Sequence, residues 1–201
     1  MVKTMTNNGT ISTFNPTTEG AKIFHLVDEF NNDTLKSFIS FSKNINSDDQ
    51  DAIIYINSPG GDVNVLNSII GIMESIDITW HTVAIGDVMS AGLLLLATGD
   101  KRYATKRAWF MFHDLFDIVW GHPDQIVVSA KRLKLLSRRL IKLFASRTLN
   151  NSKWWYDKAN SYPDKCFFFY ADEAKKLGVI DYIGVPRTEL LPTVTIYKTT
   201  K

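Results

Sequence analysis

The run Ala-Ile-Ile-Tyr-Ile at residues 52–56, which passes directly into Asn57-Ser-Pro-Gly-Gly61, constrains the fold more than any other stretch of the 201 residues. Five consecutive apolar or aromatic residues present no polar face to water. The strand they form must therefore be covered on both sides, as in a parallel sheet packed against other layers. Pro59 and the Gly60-Gly61 pair end it and turn the chain.

Around this strand the pattern alternates. Residues 21–26, 79–85, 108–113 and 167–170 read as further strands, and 117–120 as one more. Residues 33–45 read as a helix capped by Asn32 or Asp33, with Leu35, Phe38, Ile39, Phe41 and Ile45 on one face. Further helices are expected over 63–76, over a short apolar piece ending near Gly99, over 123–148 with Pro at its first turn, over 151–160, and over 171–177 with Gly178 closing it. Strand–helix–strand alternation implies an α/β domain of β-α-β units with right-handed crossovers. Residues 1–20 are rich in Thr and Asn and lack periodicity, so they read as a flexible arm. Residues 21–201 read as one domain, since single cores stop growing well above this length.

Lys and Arg number 23 against 21 Asp and Glu, so net charge points to no class of partner. The single cysteine, Cys166, rules out an intramolecular disulfide. The first ten residues lack the apolar segment of a secretory signal, and Leu93–Ala97 falls far short of the ~18 residues of a membrane span. The expectation is a soluble cytoplasmic protein without a membrane partner. His25, His81 and His122 have no metal-ligand spacing, and neither a metal site nor a cofactor is expected.

Three features bear on chemistry. Ser90 stands between Gly86 and Gly92 where a strand gives way to a helix, a junction that exposes a hydroxyl and aims backbone N–H groups at one point. The N–H of Ala91 is the first candidate donor to an oxyanion there, and that of Gly61 the second. His113 ends an apolar strand, from which a neutral imidazole can reach a neighbouring serine. Each feature alone is commonplace, since small-flanked serines usually pack, Gly-Gly pairs usually turn, and strand-end histidines usually fill space. Their order and spacing carry the signal. Asp114, next in sequence to His113, should point to the opposite face if the strand continues.

Tyr55-Ile-Asn-Ser-Pro-Gly-Gly-Asp-Val63 resembles the signature of the proteolytic subunit of the Clp protease, the ClpP family. The segment from Gly86 to Gly99 is similar to that family's active-serine segment, Met111-Phe-His113 to its Met-Ile-His, and Glu173-Ala-Lys-Lys-Leu-Gly-Val-Ile-Asp181 to its Glu-Ala-Lys-x-x-Gly-Leu-Ile-Asp. The resemblance spans about residues 21–183. It implies a ClpP/crotonase-like α/β fold with a protruding handle helix at about 117–150, and a serine endopeptidase acting on peptides or unfolded proteins. Ser90 and His113 would be catalytic, and Gly61 and Ala91 would form the oxyanion hole. The substrate strand would lie against Gly60, Val63 and Phe116. Assembly into a heptameric ring is implied, with two rings stacking through their handles into a tetradecamer, as is docking of a AAA+ unfoldase.

The chain departs from that pattern in four places. Counting back from Glu173, the family's triad aspartate falls on Cys166, which leaves Cys166 or Asp164, two residues earlier, as third member. Asp114 and Leu115 replace the usual Gln-Pro, and Phe116, Ile118, Val119 and Trp120 replace a glycine-rich strand. The arm lacks the family's segment leading to the pore loops, which weakens the case for an unfoldase. Between Gln125 and Tyr156 lie Lys131, Arg132, Lys134, Arg138, Arg139, Lys142, Arg147 and Lys153 with no Asp or Glu, so stacked handles would repel. Nucleic acid is disfavoured, because no aromatics interleave these charges. Two rival readings stay open. One is a non-catalytic ring or scaffold subunit that assembles with an active partner. The other is a crotonase-type enzyme acting on acyl-CoA.

Overall fold

The structure is a computed structural model and describes residues 20–116 and 118–186. The expected arm lies outside the described residues except for Gly20.

Among the described residues seven strands form one sheet. Strands β1 (Lys22–Leu26), β2 (Asp51–Ser58), β3 (Thr79–Met89), β4 (Lys101–Ala104) and β7 (Tyr182–Ile183) lie side by side in the order β1-β2-β3-β4-β7, all parallel. Residues 52–54 and 56 of β2 have no exposed surface, as the apolar run requires. Ala52, Ile54 and Ile56 face the main core, while Ile53 joins Val83 and Tyr103 in a second, smaller cluster. Beside that cluster His81 is fully buried, its Nε2 2.6 Å from Asp51 Oδ1 and its Nδ1 3.4 Å from the Tyr103 hydroxyl.

Strand β3 is longer than the sequence pattern indicates, because it serves two neighbours in turn. Residues 81–84 pair with β4, and Asp87–Met89 then pair with β5 (Trp109–His113). Strand β5 in turn pairs antiparallel with β6 (Cys166–Tyr170). The later half of β3 thus leads away from the main sheet into a second ribbon, and Ser90 sits at its end.

Helix α1 (Asn32–Ser42) is capped by Asn31, whose Oδ1 accepts from the N–H groups of Asp33 and Thr34. Helix α2 (Val63–Glu74) is capped by Asp62. Helix α3 (Ala91–Thr98) is buried at all eight positions, which explains an apolar sequence without a polar face. Helices α5 (Ser152–Asn160) and α6 (Ala171–Lys176) pack near β6, and the positive φ of Gly178 (71°) closes the turn after α6. Helix α4 (Pro123–Ser146) buries only Leu140, Ile141 and Phe144, and its residues 123–132 are exposed apart from a half-buried Ser129.

Sequence pattern alone missed β4 and β7. Each is short, and Lys101 and Arg102 break the apolar signal of β4. The Arg102 guanidinium grips the Asp181 carboxylate through two contacts, 2.6 and 3.0 Å, and so ties β4 to the start of β7. The strand expected at 117–120 differs too. Residues 118–120 carry no strand, and Asp117 lies outside the described residues. This segment projects beyond the sheet, with Phe116, Ile118 and Trp120 exposed at 74, 64 and 88%.

Candidate active site

Three chain segments meet at the end of the ribbon. Ser90 caps α3 with φ 51° and ψ −119°, a conformation that L residues rarely occupy and that costs about 1–3 kcal/mol. It is held there from both sides. The Ser90 N–H donates to the Met111 carbonyl (2.9 Å), and the Ser90 carbonyl accepts from Leu94 N–H (3.1 Å). The sharp turn lifts the hydroxyl clear of strand and helix alike.

The turn after β2 supplies the opposing wall. A Cβ on Gly60 would lie 2.7 Å from Ser90 Cβ, and one on Gly61 would lie 2.7 Å from both N and O of Phe30. Their φ values are 105° and 136°, so both sterics and backbone demand glycine. Phe30 bridges Gly61 in parallel fashion, donating its N–H to Gly60 O and accepting from Asp62 N–H, both at 2.8 Å. Those bonds use the neighbours of Gly61, which leaves the Gly61 N–H on the side away from Phe30, toward the cleft it shares with Ser90 and His113. The Ala91 N–H, at the first helical position, has no acceptor within its own helix and adds the positive end of the α3 dipole.

His113 ends β5 with its Nε2 2.8 Å from Ser90 Oγ. Burial pushes its pKa below the usual imidazole value, and the neighbouring Asp114 charge opposes that shift. The ring is therefore neutral at neutral pH, as a general base must be. When Nε2 accepts the serine proton, the proton on Nδ1 needs an acceptor of its own. Among the described residues no carboxylate hydrogen-bonds Nδ1. The residue paired with His113 across the ribbon is Cys166. Burial, aided by the charge of Asp164, pushes this thiol's pKa up, so it stays protonated, and its Sγ donates to the Asp164 carbonyl (3.3 Å). The Asp164 carboxylate is itself taken, accepting from Cys166 N–H at 3.1 Å. The structure thus brings Ser90, His113, Gly61 and Ala91 together and sets Cys166 beside them, but it does not bring Asp164 onto the imidazole.

Asp114 lies elsewhere than strand alternation predicts. Because β5 stops at His113, Asp114 turns into the cavity beneath the serine, where its carboxylate accepts from Ser137 Oγ (2.5 Å) and Leu115 N–H (2.7 Å). That cavity, about 30 Å³, has Val63, Leu66, Leu94 and Leu140 among its apolar walls, with Ser90, His113 and Ser137 as its other polar ones. A wider cleft of about 490 Å³ runs from Gly61–Asn64 past Ser90 and His113 to Phe116, floored by Leu133 and Leu136 of α4. Gly60 stands against Ser90 rather than in the cleft wall, whereas Val63 and Phe116 line the cleft. Phe30, Ser137 and the two leucines were missed from sequence. The recurrence of Leu133, Leu136, Leu140 and Phe144 at three- and four-residue steps is the signal that could have found the buried side of α4. Among the described residues no three His, Cys, Asp or Glu side chains cluster as metal ligands do.

The family model described as Clp protease matches residues 19–187. The ATP-dependent Clp protease proteolytic subunit 2 of Bacillus licheniformis is 32% identical over 166 residues, covering 81% of this chain and 85% of that protein.

Proposed function

The chain belongs to the Clp protease family, and from that premise we propose that it is a serine-type endopeptidase subunit of a self-compartmentalising ring. The observation that carries this reading is the 2.8 Å contact between His113 Nε2 and a Ser90 Oγ held in a strained turn.

In this reading a peptide lies extended along the cleft between Val63 and Phe116. Ser90 Oγ attacks the scissile carbonyl carbon while His113 Nε2 takes the hydroxyl proton. The carbonyl oxygen gains the electron pair and is held by the N–H groups of Gly61 and Ala91. Collapse breaks the C–N bond, and His113 returns its proton to the departing amine. Water then attacks the Ser90 ester, giving its proton to His113, and hydrolysis restores the serine. Without a carboxylate on Nδ1, the imidazolium formed in each step is supported only by the nearby Asp114 charge, which makes the enzyme slow. Leu133, Leu136 and Leu115 favour apolar side chains near the cut.

The exposed first half of α4 supports assembly through the handle, with heptameric rings as the unit and stacked pairs of rings opposed by its basic residues. A cytoplasmic location follows from the same reading, whereas the arm's departure from the family pattern argues against feeding by a AAA+ unfoldase. Cys166 opposite His113 favours one alternative, a non-catalytic subunit that completes a ring with an active partner. Assay of the purified chain on an unfolded protein and on short apolar peptides separates the two. Hydrolysis that disappears in Ser90→Ala is expected. Hydrolysis only when an active homologue is co-expressed, unaffected by Ser90→Ala, establishes the alternative.

A further inference from the structure

On the far side of Asp114 from the serine, α4 and α5 enclose a groove of about 480 Å³. Lys134, Arg138 and Lys142 enter it from α4 at four-residue spacing, so they stand one above another on a single helix face. Lys153 and Tyr156 close it from α5, beside the hydroxyl of Ser152. Four cations and one carboxylate therefore line one small concavity.

Like charges four residues apart weaken a helix, and neighbouring carboxylates normally relieve them. Here they do not. Among the described residues no ion pair reaches Lys134, Arg138 or Lys142. Asp114, at the inner end, already accepts from Ser137 Oγ and Leu115 N–H, and Asp157 is held by Lys153. The groove thus has a surplus of donors, both cationic and hydroxyl, and one acceptor that is already occupied. The column of charges rises about 6 Å per step along α4, so its long side chains can converge on a chain of phosphate groups, each able to take charge-assisted hydrogen bonds.

We infer that the groove between α4 and α5 binds a short multivalent phosphate anion, with Lys134, Arg138 and Lys142 contacting its phosphates while Lys153 stays paired with Asp157 at the rim. The anion sits toward the outer end, away from the Asp114 carboxylate. Inorganic polyphosphate and the triphosphate of a nucleotide share this chemistry.

Titration calorimetry of the full chain with inorganic tripolyphosphate, at about 50 mM salt, tests the inference. One site per chain is expected, with affinity at least ~10-fold weaker in Lys134→Gln/Arg138→Gln and also weakened in Lys142→Gln, as loss of charge-assisted contacts demands. Lys106→Gln/Arg107→Gln removes the same charge from the loop between β4 and β5, outside the groove, and should change affinity less than ~2-fold. A parallel titration with ATP separates the sources. Equal binding assigns the site to the phosphate chain alone, and tighter ATP binding that also depends on Lys134 and Arg138 assigns it to a nucleotide. Absence of binding to the wild type, or equal losses in the two double variants, overturns the inference.

Discussion

The two halves of the candidate site are built to different standards. On the serine side every degree of freedom is fixed twice. Two backbone hydrogen bonds hold the strained turn at Ser90, two glycines admit no Cβ, and Phe30 stitches the Gly60–Asp62 turn to the strand beside it. On the histidine side one ring is held by one hydrogen bond to Ser90, and the position across the ribbon carries a neutral thiol. Nucleophile geometry and oxyanion donors are properties of the backbone and survive drift in side chains. Basicity depends on a single side-chain partner, and one substitution removes it. The difference predicts a site that captures reactive acyl-like groups readily but turns over slowly.

The largest effect should come from breaking the better-built half. Gly60→Ala places a methyl group 2.7 Å from Ser90 Cβ and must displace the serine from His113. A loss of about 100-fold in kcat is expected, with KM little changed, since misplacement near 1 Å costs that much. Steady-state kinetics on an apolar peptide gives the split, and wild-type turnover by this variant would show that the turn is less constrained than it looks.

Repairing the poorer half comes next. Cys166→Asp puts a carboxylate across from His113 and should raise kcat at least ~10-fold, a fraction of the ~10⁴ that a mis-set tautomer costs in serine proteases. The acid limb of the pH profile should move upward at the same time, because the new charge favours imidazolium. Asp114→Asn is the smaller mirror image. It keeps the acceptor for Ser137 but removes the charge that partly offsets burial of His113. The acid limb should shift to lower pH and the plateau should fall a few-fold. A shift in the same direction for both variants would contradict the electrostatic account.

The smallest effect concerns assembly. Should the proposed rings form, eight cations without a carboxylate between Gln125 and Tyr156 would make their stacking through α4 unfavourable at low salt. Sedimentation should show single rings or smaller species at low ionic strength and larger particles as salt rises. A fully stacked particle at low salt speaks against this.

Much of this is legible in the sequence. The apolar run at 52–56 and the glycines after it announced a strand buried on both sides, and Ser90, Gly61, Ala91 and His113 stand together as the motif spacing implies. What sequence could not convey was tertiary. The clearance between Gly60 and Ser90 depends on how closely two turns approach. The turning of Asp114 into the cavity depends on where β5 stops, and alternation says nothing about strand ends. Short strands such as β4 and β7 exist because of their neighbours, and their own residues carry little signal. The segment at 118–120 shows the converse, since a β-like pattern gives no strand where the chain runs beyond the sheet.

The central claim is tested most directly by covalent capture of Ser90. A fluorophosphonate probe, followed by mass spectrometry of the peptide spanning residues 87–101, should modify Ser90 in the wild type, leave Ser90→Ala untouched, and react at least ~10-fold more slowly with His113→Ala. The rate should rise with pH through a midpoint below the ordinary imidazole value. Absence of modification at every pH, or modification that ignores His113, would contradict a serine poised by this histidine.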